Sequence, residues 1–118
     1  MRWLLILAAV ALIGASPVPE DPAKTARFET FFTTIAAGQV PTQGVTPQVK
    51  QGFTPALVAQ IDQTIAPLGK FQKLQYVGED SVQGYDRYHY TAVFEKGTQN
   101  YLFVLDSSGN IAGFFKDE

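Results

Sequence analysis

His89 is the only histidine in a chain of 118 residues that contains no cysteine. Those two counts remove much familiar chemistry. A Ser–His–acid hydrolase needs an imidazole held between a nucleophile and an acid, and a structural zinc site needs a set of Cys and His ligands. Ser107 and Ser108 precede Gly109 in a turn-like run, and no G-x-S-x-G is present. No phosphate loop or dinucleotide fingerprint is present either. Asp62 and Asp86 are isolated, so spacing fixes no carboxylate pair for general acid–base work. One charged group remains. Strand alternation predicts Arg87 beside Glu79 on one neighbouring strand and Asp106 on the other. A cross-strand ion-pair ladder, contributing about 0.2–1 kcal/mol per pair, is the plainer reading of that trio. The same alternation gives His89 the neighbours Val77 and Val104, neither a proton partner. The sequence therefore assigns no catalytic residue, no metal ligand and no cofactor, and the expectation is a non-enzymatic protein.

Two apolar sets are left to explain. The first is aromatic. Tyr76, Tyr88, Tyr90 and Phe103 alternate along strands, and Phe28 and Phe32 lie on one stripe of a helix. Aromatics are 13% of the chain, high for so small a domain; a fully packed core is the plainer reading of this face, and a cone left under the helices would bind a small apolar molecule. These six residues are the candidate pocket lining. The second set is Val93, Leu102, Val104 and Phe114, predicted on the opposite face of the sheet, together with Ala112. A contiguous apolar patch on an open sheet marks an interface, for a homodimer or for another exported protein.

The elements that position these residues follow from local chemistry. Asp21-Pro22 is a helix start, because Asp accepts from first-turn amides and Pro loses nothing at the next position. Phe28, Phe31, Phe32, Ile35 and Ala36 then give the stripe of an amphipathic helix, with Gly38 as its stop. Residues 39–52 form a connector with a short turn of helix near Pro47 to Lys50. Thr54-Pro55 repeats the start signal, and Leu57, Ile61, Ile65 and Leu68 form the apolar face of a second helix closed by Pro67 and Gly69. Four strands follow: Phe71 to Ser81, Tyr85 to Glu95, Gln99 to Asp106 and Asn110 to Lys116. The expected turns are Val82-Gln83-Gly84, Lys96-Gly97 and Ser107-Ser108-Gly109. An even Lys96-Gly97 loop sets Tyr88 opposite Leu105, Tyr90 opposite Phe103 and Ala92 opposite Tyr101, with all apolar partners on one face. Ile111 and Phe115 are expected on that same face. The predicted fold class is α+β, with two helices on one face of a curved four-stranded antiparallel meander.

Residues 1–16 read as a secretory signal peptide: Met1 and Arg2, the apolar run Trp3 to Ile13, then small residues with cleavage after Ala15 or Ser16. Residues 17–21 read as a tether and 22–118 as one domain. The apolar run is short of the roughly 20 residues a membrane span needs, so no stable membrane anchor is expected and the protein is expected to be secreted or periplasmic. The formal net charge of −2 becomes about −3 without Arg2, which disfavours nucleic acid as a partner.

The stretch from Ala23 to Phe115 resembles small uncharacterised secreted bacterial domains of the cystatin-like, nuclear-transport-factor-two-like superfamily. Those domains occur alone or fused to secreted serine hydrolases. The resemblance is carried by Phe53-Thr54-Pro55, Leu68-Gly69, Gly84-Tyr85-Asp86 with Tyr88, Phe94-Glu95-Lys96-Gly97, and Leu105-Asp106 followed by Gly109-Asn110-Ile111-Ala112-Gly113. It implies a sheet wrapped around the first helix. Isomerases and dehydratases of that superfamily use acids or a His–Asp pair inside the cone. Here the predicted cone positions are Tyr, Phe, Leu and Ala, so a cone-site enzyme is the alternative and a non-catalytic module binding a protein or a small apolar ligand is the expectation.

Overall fold

A computed structural model describes residues 18–117; the expected signal peptide lies outside them. Three helices precede a four-stranded antiparallel sheet: α1 (Pro22–Ala36), α2 (Pro47–Gly52), α3 (Pro55–Ile65), a 3-10 turn (Ala66–Leu68), then β1 (Phe71–Val82), β2 (Tyr85–Phe94), β3 (Gly97–Leu105) and β4 (Ile111–Lys116). The strand order is β1-β2-β3-β4. The α+β meander expected from sequence is the fold observed.

All three helices start by the same device. Asp21, Thr46 and Thr54 each accept a hydrogen bond from a first-turn amide, and each is followed by proline. The short helix at Pro47 is thus a third capped helix. Phe28, Phe31, Phe32 and Ile35 of α1 are buried against Leu74, Tyr88, Tyr90, Ala92, Phe94, Tyr101, Phe103, Leu105 and Ile111 of the sheet. Val58 and Ile65 of α3 close the core from the far side of α1.

The turns correct the expected register in three places. Gln83 and Gly84 form a two-residue loop with φ of 53° and 86°, and Val82 pairs with Tyr85. Two consecutive positive φ values make a type I′ turn, which matches strand twist better than the three-residue loop expected. A bulge at Val77 absorbs the difference, so Tyr76 still faces Tyr90 but Asp80, not Glu79, faces Arg87. The next loop is Glu95-Lys96 rather than Lys96-Gly97, since Phe94 pairs with Gly97. That one-residue displacement slides β3 by two residues along β2: Tyr88 faces Phe103 and Tyr90 faces Tyr101. Because the slide is even, every side chain keeps its face. The cause lies outside the hairpin. The Lys96 and Glu95 amides donate to the carbonyls of Leu68 and Lys70, which fix the loop against the end of the helical region.

The third correction reverses two aromatics. A bulge at Ala112 separates the pairs Leu105–Ile111 and Val104–Gly113. Beyond it the facing inverts. Phe114 turns inward, stacked on Tyr101 at 4.9 Å between ring centroids, and Phe115 turns outward with 57% of its surface exposed. The Phe115 ring folds back over Gly113, where a Cβ would stand 2.7 Å from its Cε2. Glycine is needed there by close approach, an aromatic covering a strand glycine.

Candidate functional site

The uncovered face of the sheet carries a charged cluster that register errors hid. Arg87 is clamped on Asp80 by two hydrogen bonds, Nε to Oδ1 at 2.6 Å and Nη2 to Oδ2 at 3.0 Å. His89 sits between two carboxylates. Its Nδ1 is 2.7 Å from Asp117 Oδ2 and its Nε2 is 3.1 Å from Asp80 Oδ2. The expected valine neighbours are replaced by Gly78 and Leu102. The Arg87 hydrogen bonds, then that of His89, hold the Asp80 carboxyl down to about 2. Partial burial pulls the His89 pKa down, but the hydrogen bonds and charges of Asp117 and Asp80 outweigh it, and the net shift is upward.

That arrangement decides what the cluster can do. An imidazole with both nitrogens facing carboxylates favours the imidazolium, in which both nitrogens donate. It has no free lone pair for a substrate proton or for a metal. The carboxylates lie on opposite edges of the ring, so the three groups do not converge on one point. Among the described residues no group of His, Cys, Asp and Glu has metal-holding geometry. The cluster ties β1, β2 and the segment after β4 across the outer face.

The expected Glu79–Arg87–Asp106 trio does not assemble. Glu79 falls on the helix side of the bulge and accepts from the Tyr76 hydroxyl at 3.1 Å. Asp106 caps the last turn, accepting from the amides of Ser108 and Asn110. Asp86 accepts from the Ser81 hydroxyl at the exposed end of the hairpin.

The candidate pocket residues are packed against one another in the core. Phe28, Phe32, Tyr88, Tyr90 and Phe103 are each at most 1% exposed. Phe28 stacks on Phe103 at 4.6 Å and packs on Tyr88 at 5.3 Å and Tyr90 at 5.6 Å. Tyr76 meets Tyr90 edge-on at 5.7 Å. The Tyr90 hydroxyl lies 2.7 Å from the Thr25 hydroxyl, whose proton goes to Glu20 Oε2 at 2.8 Å, so Tyr90 donates in turn to Thr25. Burial pushes the Tyr90 phenol up to about 12. The Tyr76 hydroxyl also donates to the Val18 carbonyl at 2.7 Å. The expected tether is therefore fastened to β1 through Val18 and to α1 through Glu20.

On the outer face Val93, Leu102 and Val104 remain partly exposed, and among the described residues no helix lies across them. Phe114, expected beside them, packs instead on Phe31, Phe53 and Phe103 in the core. Phe115 takes its place. Tyr85, 47% exposed, and Phe115 flank a shallow cleft of about 450 Å³ whose floor is Val104, Ala112 and Gly113. Among the described residues no helix is long and apolar enough to cross a membrane.

Comparison with family models, curated proteins and solved structures found no match to this chain.

Proposed function

We propose that this protein is an exported, non-catalytic module that works by protein–protein contact through the outer face of its sheet. Export rests on the leader-like residues 1–16. The contact reading rests on one observation above all: Leu102 and Val104, with Phe115 and Tyr85 beside them, form an apolar surface that no described helix lies across, Thr46 and Gln48 at the start of α2 reaching only the cleft beside Val104. The filled aromatic core favours this reading over a small apolar ligand held under the helices. The engaged nitrogens of His89 favour it over an enzyme, as does an inner face whose polar groups bond one another. Kinship with the cystatin-like superfamily stays with this proposal, supported by the meander packed on its first helix.

The occupant we assign is a second copy of the chain. Arg87, joined by His89 when it is protonated, offsets Asp80 and Asp117, so the cluster's net charge is zero or −1 and it sets up no strong field for a highly charged partner. A surface that mixes both signs with apolar residues can meet its own copy about a two-fold axis. Sedimentation equilibrium at micromolar concentration tests this. The expected result is twice the chain mass for the wild type and one chain mass for Leu102→Glu, with unchanged circular dichroism. A wild type that sediments as one chain at every concentration would refute the homodimer, and a tight complex with a different exported protein would replace the occupant.

A further inference from the structure

A second region joins an unexplained charge to an apolar cleft. Asp62 lies in the last turn of α3, where the helix dipole disfavours a carboxylate. Its Oδ1 is buried and has no hydrogen-bond partner among the described residues. An unsatisfied buried acceptor costs about 1–3 kcal/mol, so it calls for a physical reason. Asp62 lines a cleft of about 590 Å³, within the range of small-molecule sites, whose apolar walls are Ala36, Ile65, Phe71 and Phe94.

The surroundings are mostly negative. Ala36, Ala37 and Gly38 bring the C-terminal end of α1 to this cleft, and Ile65 and Ala66 bring the C-terminal end of α3. Neither helix has a basic residue in its last turn. Glu95 adds a carboxylate beside Gly69, its Oε1 accepting from the Lys70 amide at 2.8 Å. Two negative dipole ends and the Asp62 carboxylate therefore face an apolar hollow, with Glu95 just outside its lining, and the one cation among its described lining residues, Lys70, forms no ion pair with Asp62 within 4.0 Å.

We infer that this cleft is a binding site for a small organic cation, an ammonium attached to an apolar group, with Asp62 Oδ1 accepting from the ammonium. The Phe71 and Phe94 rings receive the apolar portion. The site is separate from the outer face of the sheet and owes nothing to the charged cluster there.

The test uses benzylammonium, with benzyl alcohol and benzoate as the neutral and anionic probes of similar shape. Each is titrated into the full chain and followed by amide chemical shifts. Benzylammonium is expected to move the amides of Gly38, Ala66 and Gly69 saturably, with benzyl alcohol at least tenfold weaker and benzoate without effect. Asp62→Asn should keep the fold, since Oδ1 makes no bond to lose, and should weaken benzylammonium at least tenfold. Ala37→Trp, which fills the cleft and leaves the carboxylate in place, should abolish binding of benzylammonium and of benzyl alcohol. Lys70→Ala should leave binding equal or tighter. Equal affinity for benzyl alcohol and benzylammonium, shifts that persist in Asp62→Asn, or no saturable shift at all would overturn the inference.

Discussion

The two faces of this sheet are made from alternate residues of the same strands, yet they are built by different physics. Inward, Tyr88, Tyr90, Phe103 and Phe28 meet ring to ring, and the Tyr90 hydroxyl is handed to Thr25 and on to Glu20. Outward, Arg87, His89, Asp80 and Asp117 share protons and charge beside a patch of Leu102, Val104 and Phe115. The inner face is closed by the chain itself. The outer face is left open, with its charges paired in place. Burial of apolar area stabilises by about 25 cal/mol per Å², so the inner face accounts for most of the folding energy. Exposed ion pairs contribute little, which frees the outer face to vary without unfolding the protein.

That contrast sets an order of sensitivity. Phe28→Ala, at the centre of the ring cluster, should destabilise by about 3–5 kcal/mol in urea unfolding, because it removes contacts with three aromatics and leaves a cavity. A loss below about 1 kcal/mol would mean the inner face is loosely packed. Thr25→Val keeps the shape but leaves the Tyr90 hydroxyl without its acceptor. The expected cost is about 1–3 kcal/mol, read by the same unfolding experiment. Tyr90→Phe combined with Thr25→Val should recover part of it, since both partners are then apolar.

The outer cluster should respond to pH more than to truncation. The His89 pKa is raised in the folded state, so its stabilising contribution is complete below the unfolded value of about 6.5 and is lost as pH rises through the folded value. Asp80 has the opposite sign. Its contribution is present above about 3.9 and is lost as pH falls through about 2. The melting temperature should therefore fall slightly from pH of about 6 to about 9 in the wild type, and less in His89→Gln. Asp117→Asn should lower the His89 pKa in a proton NMR titration. An unchanged titration would show that Asp117 does not hold the imidazolium.

Much of this contrast was legible in the sequence and part of it was not, for a specific reason. The helix stripe at Phe28, Phe31, Phe32 and Ile35 and the strand alternation from Tyr88 to Phe94 need only local periodicity, and both faces of β2 follow from them. Bulges are different. An extra residue at Val77 or Ala112 leaves composition and alternation nearly intact but inverts facing beyond it. That is why Glu79 was expected beside Arg87 when Asp80 is there, and why Phe114 and Phe115 exchanged faces. Gly78, directly after the first bulge, and Gly113, inside the second, are the residues that could have signalled them. The acid partners of His89 were hidden by the same inversions. Asp117 lies after the last strand, where no periodicity reaches.

The most direct test of the two-face account compares neighbours that differ only in which face they occupy. Phe114→Ala and Phe115→Ala can each be measured for unfolding free energy and for mass in solution. The account predicts that Phe114→Ala loses about 2–4 kcal/mol of protomer stability at a concentration where both variants are single chains. Phe115→Ala should lose under about 1 kcal/mol while weakening self-association at higher concentration. Equal stability losses for the two, or a larger loss for Phe115→Ala with association unchanged, would contradict it.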